Sequence, residues 1–331
     1  MPRLDLNTEA VDYKQVIEDA LQEVTRTDSR LAEAASEALK AGGKRIRPIL
    51  ALLTCHAISG DYAPAMPVAL GYELAHTASL IQDDIIDESL MRHSAPTPHT
   101  KYGISRAILI SDILIFDIFS QLARYRAFEL SKNRLAQLLE LVARAAKEAA
   151  EGEYLEASMK EKGRITERDY VTVAGLKTGA LFAAASASGA VVGGATKKLV
   201  ERMHEFGVNL GIAFQIQDDI LDFTGEAATT GKPIFKDIEN NACNLVLVHA
   251  LATGNAYNRN AIASMLYRKW FGMGDVKKLL AILRELGSLE HAATVAGEYS
   301  ARCRELLSVL KPSPAKDMLE KLTRRVGSRS E

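Results

Sequence analysis

The chain has 331 residues, 47% of them hydrophobic and 25% charged, with a formal net charge of -1 at pH 7. That is apolar material for one large core or two ordinary domains, and with no Pro/Gly/Ser-rich linker in it residues 1–331 read as a single domain. A general nucleic-acid binder carries a basic excess, which this chain lacks, so an anionic ligand has to be met by a local cluster of Lys and Arg.

From Met1 to Lys14 the chain is polar and acidic, unlike a signal peptide. Asp28 can cap a helix beginning near Ser29. Gly42-Gly43 breaks the chain, and the basic run Lys44-Arg45-Ile46-Arg47 leads into a helix predicted to start at Pro48, since proline suits a first helical turn. A helix predicted from about Met66 to Asp87 is apolar almost all round and ends in carboxylates. Ser94 to Pro98 is a break. The apolar stretch Ile104 to Ala123 carries Arg106, Asp112 and Asp117 and reads as a buried helix, not a membrane span. Thr166 with Asp169 resembles a capping box. A second nearly all-apolar helix runs from about Leu199 to Phe223, and Thr224 to Pro233 is again a break. Strand-like alternation is scarce, so the fold class is all-α. A helix without a polar stripe belongs at the centre of a bundle. The cysteines Cys55, Cys243 and Cys303 are odd in number and far apart, which argues against a disulfide framework or a zinc site and fits a reducing cytoplasm.

Two stretches set burial against charge. Gln82-Asp83-Asp84-Ile85-Ile86-Asp87 and Gln217-Asp218-Asp219-Ile220-Leu221-Asp222 share one pattern. On a helix the first and third aspartates of each lie four residues apart and share a face, where like charges repel and burial penalises ionisation further. Divalent cations resolve the conflict, and Mg²⁺ favours a few carboxylates completed by water and phosphate oxygens. Two such rims facing each other across a bundle would hold a Mg²⁺-diphosphate. Lys44 and Arg47 supply charge-assisted donors for a diphosphate, Arg bidentately. Arg92, Lys177, Lys232 and Lys236 stand near breaks, and His76 precedes Asp83 by seven residues, on roughly the same helix face. Taken singly, each piece has a plainer explanation as a solvated helix end, a basic turn or a core histidine.

In combination these residues resemble the trans-prenyltransferase family, which includes farnesyl and geranylgeranyl diphosphate synthases. The resemblance rests on Gly42 to Pro48, on Asp83, Asp84 and Asp87 preceded by His76-Thr77-Ala78-Ser79-Leu80, on Lys177-Thr178, on Phe214 to Asp222 and on Gly231 to Asp237. It spans about Gly42 to Ala250. It implies a bundle of long antiparallel helices around a central cavity, and head-to-tail condensation of isopentenyl diphosphate with an allylic diphosphate (dimethylallyl, geranyl or farnesyl). It further implies that Lys44, Arg47, His76 and the residue at 93 bind isopentenyl diphosphate, and that Arg92, Lys177, Thr178, Gln215 and Lys232 hold the allylic diphosphate. Asp83, Asp87 and Asp218 would ligate Mg²⁺ directly, with Asp84, Asp219 and Asp222 acting through water or behind them. A homodimer is implied by the resemblance alone.

Two positions depart from the family pattern. Arg92-His93 stands where Arg-Arg is common, so the His93 imidazole is expected to hold isopentenyl diphosphate more tightly as pH falls. Glu239 to Cys243, with Ala242, lacks a Gly-Lys pair. The presence of the basic turn and of both aspartate motifs argues against a class I terpene cyclase, a squalene-synthase-like enzyme or a non-catalytic partner subunit.

For product length, Ala78 and Ser79 just before Asp83 are small, as is Ala75. The next bulky residue that could face the same groove is Tyr72, three turns before Asp83. With roughly one five-carbon unit per turn, a floor at Tyr72 predicts geranylgeranyl diphosphate, with farnesyl or geranylfarnesyl diphosphate as alternatives. Phe116 or Phe119 could set the floor instead.

Overall fold

The computed structural model describes residues 11–24, 29–92, 95–162, 165–224, 243–266 and 273–327. Among them the chain is helical almost throughout. The only strands among the described residues are the two-residue pair β1 (Met91–Arg92) and β2 (Ala95–Pro96), antiparallel with Arg92 opposite Ala95.

The first half comprises α1 (Tyr13–Val24), α2 (Arg30–Lys40), α3 (Ile46–Ser59), α4 (Met66–Ile86), α5 (Pro98–Tyr102), α6 (Ile104–Ala123) and α7 (Lys132–Lys162). The second half comprises α8 (Glu167–Ala174), α9 (Ala180–Val192), α10 (Lys197–Thr224), α11 (Leu245–Thr253), α12 (Ala256–Leu266), α13 (Met273–Glu285), α14 (Ser288–Leu307) and α15 (Pro314–Gly327). Helix α2 is capped by Ser29, whose hydroxyl accepts from the Ala32 N–H at 3.1 Å. Ser29 thus does the capping that the sequence assigned to Asp28, which lies outside the described residues. Helix α3 begins at Ile46, two residues before Pro48, so Pro48 sits within the first turn. The capping box at Thr166 and Asp169 forms in full.

The most central helix is α9, not α4 or α10. Every one of its residues, Ala180 to Val192, is buried. Its small apolar side chains let α3, α7 and α10 close in around it. At the α9–α10 crossing, a Cβ on Gly207 would stand 2.4 Å from Ala183 Cα, a clash that only glycine avoids. Around this axis one apolar cluster joins α1–α4, α6, α7, α9, part of α10 and the C-terminal helices. A second joins α8, the end of α10 and α11–α14. Helix α10 contributes to both and carries the second acidic motif between them.

Helix α6 departs from expectation. Its inner face, including Ile110, Leu114 and Ile118, is buried against α4. Ile104, Ile108, Leu109, Phe116 and Phe119 form an outward stripe, with Phe116 66% exposed. The segment Glu167–Val192 has the length and hydropathy of a membrane span, but 83% of its apolar window is buried inside the fold.

Candidate active site

The two acidic motifs close α4 and α10 and open onto one cavity of about 1530 Å³, together with Lys44, Arg47, His76, Arg92, Lys177, Thr178 and Gln215. The middle aspartates differ from their neighbours. Asp84 is 2% exposed and receives Arg92, whose Nε lies 2.9 Å and 3.0 Å from its two carboxylate oxygens. Asp219 is 1% exposed and accepts from Gln215 Nε2 at 3.1 Å and from the Leu245 N–H at 2.8 Å. Each middle carboxylate thus fastens the segment that follows its motif. Asp83, Asp218 and Asp222 keep partial exposure toward the cavity. Asp87, at the C-cap of α4, is exposed at the rim, outside the cavity lining.

Burial pushes the Asp83 carboxyl up to about 6, with Glu153 and Asp87 adding to the rise and Lys177 and Arg92 opposing it. A carboxylate that costs this much to ionise fits a site meant to receive a cation. Among the described residues no three His, Cys, Asp or Glu side chains converge as a ready-made cage. For Mg²⁺ none is needed, since it keeps several waters and takes phosphate oxygens. Asp83 and Asp218, with Asp222 beside the latter, fit such an ion.

The basic turn divides its cations between two tasks. Arg45, in the left-handed conformation (φ 52), is 4% exposed. It ion-pairs with Glu18 at 2.9 Å and Glu73 at 2.5 Å and donates to the Leu39 carbonyl at 2.7 Å. Lys44 and Arg47 turn to the cavity. Lys44 Nζ lies 5.2 Å from the centre of the Phe214 ring, and the Arg47 guanidinium 4.9 Å from that of Phe182. The two rings are 5.4 Å apart, so the cations rest on adjoining aromatic faces. Burial pulls Arg47 down to about 10, against the pull of Glu73, Asp218 and Asp83.

Lys177 lies in a π-helical turn, Gly175–Gly179, between α8 and α9. Single π turns are frequent at functional sites because they re-aim a side chain. Its ammonium meets Glu153 at 2.5 Å and Glu156 at 2.8 Å, both on α7. Burial lowers its pKa, but Glu156, Asp83 and Glu153 outweigh this and raise it. Gly152 lets α7 approach this turn, since a Cβ there would lie 2.6 Å from the Lys177 backbone nitrogen. The other Glu156 oxygen accepts from the Cys243 N–H at 3.2 Å. Thr178 donates to Gln215 Oε1 at 2.8 Å, which continues the chain to Asp219.

Below the charged rim the walls are apolar or small: Ala75, Ala78 and Ser79 on α4, Ile115 and Ile118 on α6, and Val142, Ala146, Ala149 and Ala150 on α7. Tyr72 also lines the cavity, and its hydroxyl lies 2.8 Å from Ser188 Oγ. Phe116 and Phe119 face outward, 66% and 55% exposed, and do not form the floor.

Of the residues singled out in the sequence, His93 and Lys232, with Lys236 and Ala242, lie outside the described residues. The other metal- and diphosphate-binding candidates come together around the cavity, apart from Asp87 at its rim. Glu73, Glu153, Glu156 and Phe182 escaped sequence reasoning because lone carboxylates and a phenylalanine in helical stretches carry no local signal.

Comparison with known proteins agrees with this geometry. Residues 28–283 match the polyprenyl synthetase family. A geranylfarnesyl diphosphate synthase from Aeropyrum pernix is 36% identical over 85% of this chain and 88% of its own. A short chain isoprenyl diphosphate synthase from Methanothermobacter thermautotrophicus is 34% identical over 93% of each chain. The solved geranylgeranyl pyrophosphate synthetase from Pyrococcus horikoshii superimposes with a TM-score of 0.88 at 31% identity, covering 96% of both chains. A polyprenyl synthase from Caulobacter crescentus, solved with calcium and isoprenyl diphosphate, gives 0.86 at 26% identity, over 96% of this chain and 95% of its own.

Proposed function

Because the chain belongs to the polyprenyl synthetase family, we propose that it condenses isopentenyl diphosphate head-to-tail with an allylic diphosphate, with Mg²⁺ bound, and that its main product is geranylgeranyl diphosphate. It is a prenyltransferase of the short-chain isoprenyl diphosphate synthase kind. One observation carries the product reading: both acidic motifs and the basic turn open onto a cavity whose small and apolar walls run past Ala78 and include Tyr72.

The residue roles follow from charge and placement at the cavity, and for Lys232 and His93 from the family resemblance alone. Asp83 and Asp218 hold Mg²⁺ on the allylic diphosphate, with Asp87 and Asp222 close by. Bound there, Mg²⁺ stabilises the negative charge of the departing diphosphate. Lys177, Arg92, Thr178, Gln215 and Lys232 hold that diphosphate while the allylic carbon–oxygen bond ionises. Lys177 must then exchange Glu153 and Glu156 for phosphate oxygens. Lys44, Arg47 and His76, with His93, fix isopentenyl diphosphate so that its double bond faces the cation. After the new carbon–carbon bond forms, a proton leaves, and the released diphosphate is the base at hand. Asp84 and Asp219 position the residues around them and need not touch substrate.

The outward stripe of Ile104, Ile108, Phe116 and Phe119 on α6 supports a homodimer, since a row of large apolar residues on one helix face is a docking surface. A single polyprenyl-synthetase-like unit is supported by α10 packing into both clusters, and a cytoplasmic setting by three free cysteines.

The test is to incubate the purified chain alone with radiolabelled isopentenyl diphosphate, Mg²⁺ and each allylic primer, and to size the products. Twenty carbons is the expected length. Fifteen or twenty-five overturns the placement of the floor. No condensation points to a partner subunit without activity of its own.

A further inference from the structure

We propose that Glu73, outside both acidic motifs, is a positioning residue for capture of isopentenyl diphosphate: it anchors Arg45 beneath the Gly42–Arg47 turn and thereby presents Arg47 to the diphosphate. The inference rests on the function proposed above.

Glu73 lies on α4, ten residues before Asp83, and is 3% exposed. Its Oε1 meets Arg45 Nη1 at 2.5 Å. Its Oε2 is buried without a hydrogen-bond partner, and so is Arg47 Nε. Two such atoms around one turn are an exception in a folded protein and ask for a cause. A residue that served packing alone would be better as an apolar side chain, because a half-used buried carboxylate is costly.

The backbone explains what the carboxylate maintains. Arg45 precedes α3 in a left-handed conformation that side chains seldom adopt. Glu73, Glu18 and the Leu39 carbonyl together hold it there. With Arg45 locked inward, Arg47 enters the first turn of α3 and projects onto the Phe182 ring in the cavity. Glu73 is also the largest attractive charge acting on Arg47. It therefore makes a buried guanidinium tolerable while no anion is bound, without a direct hydrogen bond that a ligand would have to break. Arg45 fills one carboxylate oxygen, and Arg47 is left for the diphosphate.

The experiment is steady-state kinetics of Glu73→Gln, Glu73→Asp, Arg47→Gln and the double variant Glu73→Gln/Arg47→Gln. Isopentenyl diphosphate and the allylic primer are varied separately, and thermal unfolding is followed in parallel. For Glu73→Gln the expected result is a KM for isopentenyl diphosphate raised at least tenfold, with kcat and the allylic KM within about twofold of wild type. In the Arg47→Gln background the same change moves that KM by less than twofold, because Glu73 acts through Arg47. Glu73→Asp keeps the charge and stays within about threefold of wild type, which also covers the case in which Glu73→Gln does not fold. Equal rises in both KM values, full additivity in the double variant, or a Glu73→Asp protein as impaired as Glu73→Gln would each overturn the proposal. A wild-type protein that condenses nothing instead removes the function on which it rests.

Discussion

Asp84 and Asp219 occupy the same place in two copies of one motif and are turned to the same work. Asp84 receives Arg92 from the segment that follows α4, and Asp219 receives the Leu245 N–H from the start of α11. Both are buried almost completely. Their neighbours Asp83 and Asp218 keep exposure toward the cavity. Within each motif, then, one carboxylate faces the cavity and the next braces the fold.

That division makes the aspartates separable by mutation. Asp83→Ala and Asp218→Ala are expected to lower turnover by on the order of 10²–10³-fold while circular dichroism and Tm stay near wild type. Excess chelator should reproduce the loss in the unmodified protein. Full activity in either variant sinks the mechanism.

Asp219→Ala should show the opposite balance. It removes the acceptor of two hydrogen bonds to a buried charge and leaves the Leu245 N–H and the Gln215 amide without it. A loss of roughly 2–4 kcal/mol in urea unfolding is expected. If stability is unchanged and only turnover falls, the brace is not what Asp219 contributes.

Product length tests the cavity. Ala78 is 2% exposed and lines the wall between Asp83 and Tyr72, which lies under two turns before it on the same helix. Ala78→Phe is expected to shorten the main product from twenty carbons to fifteen, and Tyr72→Ala to lengthen it. Chromatographic sizing of the dephosphorylated alcohols gives the answer, and an unchanged product in both variants rules out this path for the chain.

A pH effect is expected away from the cavity. The His249 ring stacks on His291 with centroids 4.2 Å apart, and His291 Nε2 meets Glu167 at 2.8 Å. Burial and His291 push the His249 imidazole below its ordinary value, with Glu167 pulling the other way. The unfolded chain therefore takes up a proton more readily than the folded one, so stability falls as pH drops below about 6.5. His249→Gln should flatten that decline between pH 7 and pH 5 in denaturant titrations. An equally steep decline in the variant would place its cause elsewhere.

Both acidic motifs were legible because charge inside an apolar stretch is conspicuous, and the basic turn because three cations crowd a glycine pair. The split between Asp83 and Asp84 is implied by the family resemblance but not by the local pattern, since the partner of Asp84 is Arg92, eight residues on and beyond the end of α4. Asp219 is fixed by Leu245, 26 residues on, beyond any local pattern. Glu73 looked like one polar residue in an apolar helix, and its meaning appears only when Arg45 is seen against it. Helix α9 went unremarked because a run of alanine, serine and glycine has no periodic stripe to detect, yet small side chains are what let three helices crowd it. Composition also overstates the burial of Ile104 to Ala123, because it cannot tell the face packed on α4 from the face left exposed.

The hydroxyls of Tyr72 and Ser188, both buried, satisfy each other at 2.8 Å. A hydrocarbon tail that pushed the ring aside would meet more than bulk. It would strand two polar atoms and offer methyl groups in exchange, at about 1–3 kcal/mol for each unsatisfied group. With Tyr72 as the floor, one further round of growth is then disfavoured by about a factor of ten or more even where space could be found. Product fidelity on that placement is a matter of solvation as much as of shape, since an alkyl chain cannot replace the hydrogen bond it would break.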